Sequence, residues 1–138
     1  MWQARVYWED TDAGGIVYYA NYLRFMERAR TEWLRSQGIW QRQLESDARI
    51  IFTVVDLQVR YRLPARLDDL LCISCEPTRD GGATIAFGQR IWRERVDGEL
   101  LLEGSARAAC LDAATLKPRR LPPIVVDVLP ATRANCKE

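Results

Sequence analysis

Three carboxylates and two glycines fall within seven residues, Glu9-Asp10-Thr11-Asp12-Ala13-Gly14-Gly15. That composition suits neither strand nor helix and reads as a tight loop. From about Asn21, apolar positions recur at helical spacing: Tyr22, Phe25, Met26, Ala29 and Trp33 share one face. Asn21 is a candidate N-cap, since its side chain can accept from backbone N–H groups two or three residues on. Gly38 is a candidate stop, because glycine tolerates the left-handed conformation past a helix end. Asp12 is therefore expected just before a helix start. Unpaired N–H groups there favour negative charge, a developing oxyanion included. A carboxylate beside an oxyanion site is a minimal kit for acyl transfer. The competing reading is structural: Asp10 and Asp12 also suit Asx turns, Asp10 more so.

What is absent narrows the chemistry further. The chain has no histidine. Ser-His-Asp and Cys-His triads are excluded, as are His-bearing zinc sites and the commonest general base. Catalysis without a metal would fall to carboxylates, backbone amides or hydroxyls. Of the four cysteines, Cys72 and Cys75 match C-x-x-C, while Cys110 and Cys136 stand apart. The C-x-x-C pair lies in an apparent strand, where period two sends its members to opposite faces. Buried structural thiols are expected rather than a redox or metal motif. No metal site and no cofactor are expected.

The elements that must position the loop and helix follow from periodicity. Trp2 to Trp8 alternates as a first strand. The helix has an outward face of Arg24, Glu27, Arg28, Arg30, Glu32 and Arg35, read as solvated. Residues 39 to 48 read as a short helix or loop. Arg49 to Arg62 is a long extended run rich in β-branched and aromatic residues, interrupted at Leu63-Pro64-Ala65-Arg66. Leu70 to Glu76 resumes as strand, Asp80-Gly81-Gly82 signals a hairpin, and Ala83 to Glu94 is its partner. A turn at Val96-Asp97-Gly98-Glu99 leads to a last strand, Leu100 to Leu111. Ile124 to Leu129 reads as a short terminal turn. The result is an α+β chain, one early apolar helix laid across a curled antiparallel sheet of about five strands. Such a single-layer sheet leaves edges exposed, and edge-to-edge dimerisation would hide one.

The totals set the remaining bounds. At 138 residues, residues 1–138 form one expected domain. A net charge of +1 gives no argument for nucleic acid or a membrane surface. No apolar run reaches the roughly 18 residues of a membrane span. No apolar core follows Trp2-Gln3-Ala4-Arg5, so no signal peptide is read and a cytoplasmic location is expected.

The stretch from Glu9 through Asn21-Tyr22 resembles the hotdog-fold thioesterases of the 4-hydroxybenzoyl-CoA thioesterase superfamily. Within it the chain is most similar to YbgC-type acyl-CoA thioesterases, encoded with the bacterial Tol-Pal system. The likeness continues through Phe25-Met26-Glu27-Arg28-Ala29-Arg30-Thr31-Glu32, returns at Tyr61 to Asp69, and echoes at Leu116 to Pro122. The resemblance implies a long central helix wrapped by a five-stranded antiparallel sheet. It implies homodimers, often paired into tetramers, with active sites at the dimer interface. It implies hydrolysis of an acyl-CoA, or of an acyl group on acyl carrier protein. The family's carboxylate falls on Asp12, acting as nucleophile or general base. Its oxyanion donor falls on the backbone amide of Tyr19, and its close-approach glycine on Gly15. Ile16, Val17, Tyr18 and Tyr22 then belong to the substrate-binding wall, although Tyr18 and Tyr22 also suit the core. Arg60, Arg62, Arg66, Arg119 and Arg120 are each either CoA-phosphate contacts or solvated charges. This chain carries Tyr19 where YbgC-type members usually carry His. The alternative function is a non-catalytic acyl-binding or scaffolding hotdog protein in envelope lipid metabolism.

Overall fold

The computed structural model describes residues 1–130; Cys136 lies outside the described residues. The chain runs β1 (Trp2–Arg5), α1 (Tyr22–Ser36), α2 (Gln41–Ala48), β2 (Ile50–Tyr61), β3 (Leu70–Ile73), β4 (Glu76–Arg79), β5 (Thr84–Arg93), β6 (Leu100–Asp112) and α3 (Pro123–Val126). The sheet has the order β1-β3-β5-β6-β2, with β4 also on β5, and every pairing is antiparallel. This is the α+β arrangement expected, one long helix against one wrapped sheet.

Tyr22, Phe25, Met26 and Ala29 point from α1 into the core, where they meet Val6, Leu71, Ile73, Ile91, Leu101 and Leu102. Past Ala29 the helix crosses a second cluster that includes Leu34, Ile39, Ile50, Ile85, Phe87 and Val125. The helical period of the apolar positions, not any cap, holds α1 to the sheet. Gly38, at φ +80°, then turns the chain away, as its position suggested.

Two elements differ from the sequence reading. The first strand stops at Arg5, because the Asp10 carboxylate accepts the Tyr7 N–H (2.8 Å) and winds Trp8–Asp10 into a 3-10 turn. The stretch expected as one strand over Leu70 to Glu76 is opened at Ser74-Cys75, which makes six strands of five. Ile73 faces Ile91 and Glu76 faces Gly88, so register is unchanged across the break. The Ser74 hydroxyl there accepts the Arg90 N–H (2.9 Å), and the Ser74 carbonyl accepts from the Gln89 side chain (3.3 Å).

β2 is the longer edge of the sheet. Its register on β6 slips between Val54 and Asp56, leaving Val55 as an extra residue. Val54, Val55, Leu57 and Tyr61 are exposed along it.

Candidate functional site

The acidic loop is a miniature hairpin. Thr11 bridges Val17, Asp12 N–H donates to the Ile16 carbonyl (2.9 Å), and Gly15 N–H returns to the Asp12 carbonyl (3.1 Å). Gly15 closes it at φ +81°, a conformation that favours glycine. The hairpin is anchored at its exit: Val17 is buried, with its N–H on the Ala65 carbonyl (2.9 Å), and Ile16 bridges Arg66.

The two aspartates divide their work. Asp10 is structural in its contacts. Its Oδ2 accepts from Tyr7 N–H, its Oδ1 accepts from Asn21 Nδ2 (2.8 Å), and its carbonyl accepts from Tyr18 N–H (2.9 Å). Asp12 makes one side-chain bond, with Oδ1 accepting the Gly14 N–H (2.7 Å). Among the described residues its Oδ2 has no partner. An Asx turn and an unpartnered carboxylate oxygen thus coexist at position 12: one oxygen sets the orientation, and the other has no partner among the described residues.

Asn21 does not cap α1. It already has helical dihedrals (φ −72°, ψ −21°), and its side chain is spent on Asp10. The chain starts to wind earlier, in a 3-10 turn over Tyr19–Asn21 that leads straight into α1. Tyr19 and Ala20 begin that turn, so geometry gives their N–H groups no partner within it. Among the described residues no acceptor is found for either. Asn21 N–H donates to the Tyr18 carbonyl (2.8 Å), which polarises the peptide bearing the Tyr19 N–H.

A cleft of about 300 Å³ joins these parts, lined by Glu9, Thr11, Asp12, Tyr18, Ala20, Asn21 and Arg24. Of the residues singled out from sequence, Asp12 and Tyr18 line it. The exposed Tyr19 adjoins, its ring 4.9 Å from that of Tyr18. Gly15 and Ile16 shape the hairpin, while Val17 and Tyr22 lie in the core rather than on this cleft. The Tyr22 hydroxyl accepts the Ala65 N–H (3.0 Å), and burial pushes its pKa up.

The arginines do not gather here. Arg60 and Arg62 line a separate polar groove of about 530 Å³ with Ser74, Glu76, Arg90, Glu103 and Ser105. Arg62 pairs with Glu103 there. Arg119 is spent on Asp112 (3.5 Å) and the Ala48 carbonyl (3.2 Å). Arg24 is the cation that does line the Asp12 cleft. It stands three residues after Asn21, so helical spacing alone was enough to place it near the loop.

Cys72 and Cys110 are buried, and burial pushes the Cys75 thiol up to about 12. A thiol so far above its ordinary range carries almost no thiolate at neutral pH, consistent with a structural role.

Comparison with known proteins gives a consistent picture. Residues 14–98 match the family model described as the Thioesterase superfamily. The chain is 46% identical over 125 residues to the "Acyl-CoA thioester hydrolase YbgC" of Escherichia coli O157:H7, an alignment covering 91% of each chain. Among solved structures, a probable thioesterase from Bartonella henselae is 36% identical with a TM-score of 0.81, over 88% of this chain and 97% of that one. At 21% identity, a 1,4-dihydroxy-2-naphthoyl-CoA thioesterase from Synechocystis shares the fold, with a TM-score of 0.84 over 93% of this chain and 95% of that one.

Proposed function

Since the chain belongs to the thioesterase superfamily, we propose that it hydrolyses an acyl-CoA thioester to a free acid and CoA at the Asp12 cleft. The observation that carries this reading is one cleft lined both by Asp12, whose Oδ2 has no partner among the described residues, and by Ala20 and Asn21 of the Tyr19–Asn21 turn. The E. coli relative, an acyl-CoA thioester hydrolase by name, supports it, at an identity that spans most of both chains.

The thioester oxygen is received by the Tyr19 N–H. One such backbone donor is typically worth about 2.7–4 kcal/mol of barrier. Asp12 then acts by one of two routes. As a base, Oδ2 takes a proton from water, the hydroxide oxygen bonds to the carbonyl carbon, and collapse of the adduct breaks the C–S bond. As a nucleophile, Oδ2 itself bonds to that carbon, thiolate departs, and water opens the resulting anhydride. The Gly14 N–H on Oδ1 keeps the carboxylate oriented in either case. Thiolate is a good leaving group, so neither route needs a strong general acid. A tyrosine at position 19 serves as well as a histidine, because the group in use is the amide.

The oligomer proposed is a homodimer formed along β2, the long edge on which apolar side chains are exposed.

The test is Asp12→Asn in a CoA-release assay over acyl-CoAs of graded chain length. Turnover should fall about 10²–10⁴-fold, the range of a positioned acid–base group, with the fold intact by circular dichroism. Retained turnover in a folded variant would reject the assignment. One turnover in heavy-oxygen water, followed by peptide mass analysis, separates the routes: label in Asp12 marks attack by the carboxylate.

A further inference from the structure

Tyr61 ends the edge strand β2, and its hydroxyl reaches across to the turn at the start of the helix. It donates to the Tyr19 carbonyl at 2.7 Å, from 42 residues away in sequence. The ring is held independently, packed edge-on against Tyr22 with centroids 5.5 Å apart. Tyr22 is in turn fixed by its bond with Ala65. Partial burial keeps the Tyr61 phenol above its ordinary pKa, so the hydroxyl stays protonated and donating through neutral pH.

The acceptor gives this bond its meaning. The Tyr19 carbonyl belongs to the same peptide unit as the Ala20 N–H. A hydrogen bond to that oxygen draws electron density toward it and leaves the N–H a stronger donor. It also fixes the orientation of the peptide plane. Ala20 lines the cleft with Asp12, and no acceptor is found for its N–H among the described residues. The neighbouring peptide, which carries the Tyr19 N–H, is fixed in the same way by Asn21 N–H on the Tyr18 carbonyl.

We propose that Tyr61 is a positioning residue for the reaction: its hydroxyl fixes and polarises the Tyr19–Ala20 peptide, so that Ala20 N–H joins Tyr19 N–H in receiving the thioester oxygen. The inference rests on the function proposed above and deepens it. Tyr61 does not touch the reacting atoms. It acts through the backbone, on charge that grows as the adduct forms, so its effect belongs to kcat and not to KM.

The experiment compares Tyr61→Phe with the parent protein and with Asp12→Asn. Phenylalanine keeps the ring on Tyr22 and removes only the hydroxyl. The expected result is a loss of about tenfold in kcat, roughly one ordinary hydrogen bond, with KM within twofold and an unchanged melting temperature. The second readout is the infrared carbonyl stretch of a bound ketone analogue of acyl-CoA, with methylene in place of the thioester sulfur. In Tyr61→Phe it should move back toward the value of the free ketone. A kcat within twofold of the parent, an unmoved carbonyl stretch, or a loss matched by a lowered melting temperature would overturn the inference. Full activity in Asp12→Asn is a different failure and removes the underlying reading instead.

Discussion

Among the described residues a single hydrogen bond, from Gly14 N–H, orients the Asp12 side chain. A β-carbon added at Gly14 would sit 3.3 Å from Asp12 Oδ1, the same atom that accepts the Gly14 N–H. The carboxylate has to give by a few tenths of an ångström. Gly14→Ala is therefore expected to lower kcat about tenfold, since misplacement of about 1 Å costs on the order of 10²-fold. Its melting temperature should stay within two or three degrees, because the site is exposed. Gly15→Ala should show the opposite balance. Its added carbon would meet nothing, but φ is +81°, and an L-residue held there costs roughly 1–2 kcal/mol. Paired steady-state kinetics and thermal melts on the two variants check both expectations. At this scale the sequence was informative where the signal was local: three acids and two glycines cannot be anything but a loop. That Asp10 is the more structural of the two aspartates was legible, but the partner that fixes it was not, because that depends on where Asn21 points. Its capping chemistry was recognisable, but an acceptor eleven residues back took the side chain instead.

At the level of the elements, α1 and the sheet are joined by a polar tie as well as by packing. Arg30 was read as part of a solvated face. It instead donates to Gln89 Oε1 (3.0 Å), and its guanidinium stands 5.9 Å from the centre of the Phe87 ring. Burial lowers its pKa, which marks a charge partly withdrawn from water. Gln89 Nε2 meanwhile donates to the Met26 carbonyl (3.0 Å) on the helix and the Ser74 carbonyl (3.3 Å) at the strand break. One buried amide therefore serves a helix, a strand and a charge. Gln89→Leu should destabilise the fold by about 2–4 kcal/mol, because it leaves a half-buried guanidinium and the Ser74 carbonyl without their partner. Urea unfolding would measure this, and a loss under about 1 kcal/mol would show the network to be dispensable. Most elements could be read from periodicity, β5 most clearly, since Ile85, Phe87 and Ile91 alternate inward. Gln89 occupies the one polar place in that inward series. It was the available clue to the network, and to the break at Ser74, that composition and turn signals did not supply.

At the scale of the whole molecule, β2 is the longest of the sheet edges left open among the described residues. β2 is twelve residues long, lies at the end of the strand order, and exposes Val54 (43%), Val55 (54%) and Leu57 (38%). A long edge with apolar side chains templates another strand unless it is covered. The bulge at Val55 adds local twist, and the exposed Asp56 beside it is a single charge, with no proline anywhere in the strand to block pairing. A second copy related by a two-fold axis would pair β2 antiparallel to itself, and that is the commonest closed symmetry. The expected species in sedimentation equilibrium is a dimer at micromolar concentration. Val55→Lys with Leu57→Lys places two like charges near the axis, to be repeated by the partner, and should shift the protein toward a monomer with an unchanged far-ultraviolet spectrum. Tyr61 closes this same strand and holds the Tyr19 carbonyl, so loss of pairing should reach the cleft as well. A folded monomeric variant is expected to lose tenfold or more in kcat, the consequence of freeing the strand that steadies the peptides proposed to receive the oxyanion. A parent protein that sediments as a monomer while turning over acyl-CoA would separate the edge from the chemistry, and would confine the control of the site to contacts within one chain.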